Sequence, residues 1–123
     1  MEKDPLTDRV IGLAIEVHRQ LGPGLLESAY EICLCQELSE AGLKFERQKP
    51  IGIHYQGTDL DCGFRSDLIV ENNLLIEMKA VEKILPVHEA QQLTYMKLSQ
   101  IDTGLILNFN TEVLKNGIKR MVL

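Results

Sequence analysis

The sequence has no apolar run approaching the ~20 residues that a membrane-spanning helix requires, and Met1 to Thr7 supply neither a cationic start nor an apolar stretch for a leader. A soluble, cytoplasmic protein is expected. Cysteine is scarce. Cys33, Cys35 and Cys62 are odd in number and form no C-x-x-C pair, which argues against a zinc site or a disulfide framework and for reduced, packed thiols. Basic residues are also in deficit, with 13 Lys and Arg against 18 Asp and Glu and a formal net charge of −5. The surface as a whole therefore repels polyanions, and any nucleic-acid contact needs a local basic groove. Repeats, linkers and low-complexity tracts are missing. A length of 123 residues with 45% hydrophobic content suits one domain, 1–123, built on one core.

What is present is a change of period along the chain. Leu6, Val10, Leu13, Ala14, Val17 and Leu21 recur at helical spacing, with Thr7 as a cap and Gly22-Pro23-Gly24 as a stop. A second helix is expected from near Leu25, burying Leu26, Ala29, Tyr30, Cys33, Leu34 and Leu38 and ending at Gly42, and the two helices should pack as a hairpin. From Phe45 the pattern becomes extended. It runs to Tyr55, turns at Gln56-Gly57, returns over Leu60 to Val70, turns at Glu71-Asn72-Asn73 and returns again over Leu74 to Ala80. Pro50 marks a strand start or an edge. Pro86 opens a helix through about Ser99, and strands follow at Thr103 to Asn108 and Gly117 to Val122. The expected fold class is α/β (α+β) with element order ααβββαββ.

The chemistry sits in the extended runs. Side chains alternate faces along a strand, so Glu77 and Lys79 share a face and Met78 points away. If the preceding strand pairs with this one, Asp67 comes close to Glu77, and two carboxylates beside an ammonium are the parts of a Mg²⁺ site for phosphodiester hydrolysis. The competing reading is a half-exposed strand, with Leu75, Glu77, Lys79 and Val81 toward solvent and Leu74, Ile76, Met78 and Ala80 in the core. Asp67 precedes the β-branched run Leu68-Ile69-Val70, where a turn role is unnatural and a carboxylate needs a partner.

Glu27 has two readings, a functional acid or a first-turn acid that favours the helix dipole. It lies one turn from Tyr30 and Glu31, while Ser28 and Glu31 also fit a capping box that would make Glu31 structural. His88, Gln91 and Tyr95 fall at helical spacing. They form either a polar stripe beside a buried tyrosine or a wall over the Glu77 pocket, in which Gln91 orients a carboxylate or water and Tyr95 supports a phosphate.

Gly24-Leu25-Leu26-Glu27-Ser28-Ala29-Tyr30 resembles the signature of the GxxExxY proteins, which are placed in the PD-(D/E)XK nuclease superfamily. The resemblance extends from Val10-Ile11-Gly12 through Asp67-Leu68-Ile69-Val70, Ile76-Glu77-Met78-Lys79-Ala80 and Pro86-Val87-His88-Glu89-Ala90-Gln91 to Leu107-Asn108-Phe109. Gln91-x-x-x-Tyr95 is similar to the Gln-x-x-x-Tyr motif of RecB-type and lambda-exonuclease-type members. Ser66 stands where the superfamily pattern has Pro.

The resemblance implies a restriction-endonuclease-like core, a central mixed sheet flanked by helices. It further implies that Asp67, Glu77 and the Met78 carbonyl bind Mg²⁺ or Mn²⁺, with Glu27 a further ligand directly or through water. Lys79 would position the attacking water, Gln91 and Tyr95 would complete the catalytic set, and Tyr30, His88 and Arg65 would touch substrate. Two functional classes follow. One is a metal-dependent nuclease, with DNA favoured over RNA. The other is a non-catalytic module that uses the nuclease fold to bind protein or nucleic acid. In either case so small a chain is expected to work as a dimer or larger assembly, or with a protein partner. Lys44, Arg47, Lys49, Arg65 and Lys83 are candidate phosphate contacts, or else a solvated strand face.

Overall fold

Helix α1 (Pro5–Leu21) begins at Asp4, not at Thr7: Asp4 accepts from the Leu6 and Thr7 backbone N–H groups, while Thr7 is buried and donates its hydroxyl to Asp4 at 2.6 Å. The computed structural model describes residues 4–123. Gly22, at a φ of +69°, ends α1 in a backbone conformation that only glycine adopts freely. Helix α2 (Glu27–Glu40) starts two residues later than expected, with no side-chain cap, so the Ser28/Glu31 capping box does not form. Leu26, assigned to the buried face, lies outside this helix and is 79% exposed. Leu21 is also exposed, at 39%, while the other positions assigned to the core in both helices are buried or half-buried, and the helices pack against each other as expected.

Five strands follow in the spatial order β1-β2-β3-β4-β5: β1 (Phe45–Tyr55), β2 (Thr58–Val70), β3 (Leu74–Lys79), β4 (Thr103–Asn108) and β5 (Ile118–Val122). The first three form the expected antiparallel meander, and the 71–73 turn has Glu71 and Asn72 both at positive φ, as a tight right-twisting hairpin requires. Pro50 sits in the edge strand, where its missing N–H breaks no inner ladder bond. Helix α3 (Pro86–Ser99) carries the chain from β3 to β4, which pair in parallel, and β5 returns antiparallel after a short 3₁₀ turn at Leu114–Gly117.

The sheet is covered on both faces. Leu68, Val70, Leu74, Ile76, Met78, Leu105 and Leu107 pack against α1 and α2, whereas Ile69, Leu75, Ile106 and Met121 pack with Tyr95 and Met96 of α3. The half-exposed reading of β3 is therefore wrong: Leu75 is fully buried and Glu77 is 7% exposed, because α3 roofs the face that was assigned to solvent. The packed-thiol expectation holds for Cys35 and fails for Cys62, which lies exposed on the projecting β1–β2 hairpin; all three cysteines are free. No described helix is long and apolar enough to cross a membrane.

Candidate active site

The site forms where β2 and β3 part. Their ladder runs Val70–Leu74, Ile69–Leu75 and Leu68–Ile76, and it ends one residue short of Asp67 and Glu77. There the Asp67 side chain takes over from the backbone, its Oδ2 accepting the Met78 N–H at 2.8 Å. This bond fixes the carboxylate beside Glu77 and satisfies a donor that the departing strand would leave unpaired.

Glu77 is the most perturbed carboxyl of the pair. Burial under α3 and the charge of Asp67 push its pKa up to about 8, against a weaker pull from Lys79. Its Oε1 is buried and has no hydrogen-bond partner. Such an atom is costly in a dry environment unless a proton or a cation sits on it. Lys79 is half-buried and, among the described residues, engaged in no ion pair.

The other side chains named from sequence divide into three groups. Glu27, exposed at the start of α2, reaches the far end of β3, where its Oε1 accepts the Ala80 N–H at 3.2 Å. It therefore binds the residue that follows Lys79 in the chain. Among the described residues no group of three or more His, Cys, Asp and Glu comes together closely enough to hold a metal ion, and Glu27 is not grouped with Asp67 and Glu77. Gln91 and Tyr95 do pair, the amide donating to the phenol oxygen at 2.8 Å, and Tyr95 lies in the α3 layer against Phe64 of β2, with ring centroids 5.8 Å apart.

Tyr30 and His88 have structural roles instead. Tyr30 is fully buried and stacked on Phe109; its hydroxyl donates to Gly22 O at 2.6 Å and accepts from Leu25 N at 3.1 Å. No face is left for substrate, and that assignment is corrected: Tyr30 ties down the Gly22-Pro23-Gly24 loop from which Glu27 emerges. His88 Nδ1 accepts the Leu85 N–H at 2.9 Å and so caps α3, which leaves a substrate role without support. Arg65 is exposed on β2, two residues before Asp67. Of the basic candidates, Arg47 is committed to Glu31 and Lys49 lies 3.4 Å from Glu46, while Lys44, Arg65 and Lys83 are in no ion pair among the described residues.

A family model of the PD-(D/E)XK nuclease superfamily matches residues 4–121. The chain belongs to this superfamily. No curated protein and no solved structure matches it significantly. Asp67 and Glu77-Met78-Lys79, the residues that the sequence pattern singled out, come together where β2 and β3 part. The five-stranded mixed sheet flanked by helices agrees with the restriction-endonuclease-like fold of the superfamily.

Two side chains near this site, Asn108 and Gln48, escaped the sequence reading. Asn108, at the end of β4, clamps Val81 through both its backbone groups, at 3.0 and 2.9 Å, and so extends the parallel ladder past Lys79. Gln48, exposed on β1, links the buried Glu31 to Asp67 through its amide nitrogen, at 2.9 and 3.3 Å. Asn108 lay inside the family resemblance without a role, and no local signal marks Gln48.

Proposed function

We propose that this PD-(D/E)XK protein hydrolyses phosphodiester bonds of nucleic acid, DNA in preference to RNA, with Mg²⁺ or Mn²⁺ bound by Asp67, Glu77 and the Met78 carbonyl. The orphaned Oε1 of Glu77 carries the reading, because an all-oxygen donor set with a buried unpartnered carboxylate suits a hard divalent cation. When bound, such an ion supplies a hydroxide-like water near neutral pH and positive charge against the phosphoryl oxygens.

The protein's own groups do the positioning. Asp67 is held by Met78 N–H, so its orientation is set before any ligand arrives. Glu77 would hold such an ion in place of the proton that its buried oxygens otherwise carry. Lys79, in no ion pair among the described residues, holds the attacking water or the developing charge on the scissile phosphate. Glu27 orients the β3 terminus through Ala80 N–H and is placed to act on the site through water. Gln91 steadies Tyr95, whose phenol faces the same layer as Glu77.

Cleavage of single- and double-stranded DNA and RNA with Mg²⁺ or Mn²⁺ tests this reading. Lys79→Ala and Asp67→Asn should each abolish cleavage and leave thermal unfolding little changed. Full activity in either variant contradicts the assignment. A folded wild type that binds partners but never cleaves would make the chain the non-catalytic module, working as an assembly or with a protein partner.

A further inference from the structure

Gln48 is an oddity of the edge strand. It lies mid-strand in β1 with a φ of +49°, a left-handed conformation that a side chain with a Cβ adopts only at a cost of ~1 kcal/mol or more. Its neighbours keep the β1–β2 register, Arg47 opposite Leu68 and Lys49 opposite Ser66, so Gln48 faces Asp67. The twist has a visible result. Consecutive strand residues normally point to opposite faces, yet Arg47 and Gln48 both reach the carboxylate of Glu31 on α2.

Glu31 is buried, with its side chain 6% exposed. Arg47 gives its Oε2 two bonds, at 3.1 and 2.8 Å, and Gln48 Nε2 donates to its Oε1 at 2.9 Å. The same Gln48 nitrogen donates to Asp67 Oδ1 at 3.3 Å. Both amide hydrogens thus point at carboxylates, which also fixes which end of the amide is nitrogen. Asp67 is in consequence gripped from both sides, by Gln48 on Oδ1 and by Met78 N–H on Oδ2. A carboxylate offers about four acceptor sites, so these two bonds set its plane and leave sites free for a cation.

We propose that Gln48 is a positioning residue for Asp67: the strained backbone at residue 48 exists to carry an amide from the buried Glu31 carboxylate, which Arg47 also holds, to the metal-binding carboxylate. This inference rests on the reading of Asp67 and Glu77 as a divalent-cation site. Groups that orient metal ligands in this way typically change metal affinity by about 10- to 100-fold when removed.

Gln48→Gly separates this role from a structural one. Glycine relieves the left-handed backbone and deletes the amide together. The expected result is a protein of equal or higher melting temperature that binds Mn²⁺ about 10-fold or more weakly by calorimetry, with the metal concentration for half-maximal cleavage raised to match. Gln48→Asn, which tolerates the same backbone but is one methylene too short to reach Asp67, should show the same weakened binding. Unchanged Mn²⁺ affinity in both variants, with normal binding by wild type, overturns the role of Gln48 and leaves the cation site standing. A drop in melting temperature with unchanged affinity overturns it too, because Gln48 would then serve the fold alone. Absent Mn²⁺ binding in wild type overturns the cation site and this inference with it.

Discussion

Glu77 decides how the site behaves with pH. Its folded-state pKa of about 8 lies above the ordinary 4.5, so between these values the folded protein holds a proton that the unfolded chain has lost. Stability without metal should therefore fall as pH rises from about 4.5 to about 8 and level off beyond. Glu77→Gln removes the titrating group and keeps the shape. Thermal melts near neutral pH without metal should show the variant more stable than wild type by at least ~1 kcal/mol, about 4 °C, with a flatter pH profile. A variant of lower stability would mean that the carboxylate already has a partner. Metal binding should strengthen with pH over the same window, because the cation competes with this proton.

At the scale of elements, two contacts hold the ends of β3 and the start of α2 in place. Tyr30→Phe deletes the hydroxyl that grips Gly22 O and Leu25 N and should lower stability by about 1–3 kcal/mol, measured by urea unfolding. It should also loosen the loop before Glu27, visible as faster proteolysis there. In β4, a Cβ on Gly104 would lie 2.6 Å from Met96 Sδ and 2.7 Å from Gln92 Nε2. Gln92 is fully buried and donates to Leu75 O and Leu105 O, tying α3 to both inner strands. Gly104→Ala should cost about 1–3 kcal/mol in the same measurement, since the thioether yields more readily than the bonded amide.

How far the sequence could be read follows from the same elements. The helices and the meander were legible because their apolar periods are regular and their turns carry Gly, Asn and Pro. So were Asp67, Glu77 and Lys79, since a strand pair puts them on one face by geometry alone. The burial of Glu77 was not, because α3 comes from later in the chain and turns a half-exposed pattern into a roofed one. Tyr30 was misread for a related reason: it lies one turn from Glu27, but the phenol points inward and serves the loop. Gln48 left no mark at all, since nothing in Arg47-Gln48-Lys49 announces a reversal of backbone handedness.

For the whole molecule, the net charge of −5 limits what the surface can do alone. With Arg47 committed to Glu31 and Lys49 near Glu46, Arg65 is the basic side chain nearest to Asp67 in the chain. Nucleic-acid binding by the isolated chain should therefore be weak, and Arg65→Ala should reduce the slope of log affinity against log salt by about 1. An unchanged slope would place the phosphate contacts elsewhere.

Whether Asp67 and Glu77 form a divalent-cation site is decided by titration calorimetry with Mn²⁺ on the wild type and on Glu77→Gln. One site is expected in the wild type, with proton release that shrinks as pH rises past about 8, and no binding in the variant. Equal binding by both proteins, or none by a folded wild type at alkaline pH, would rule that site out.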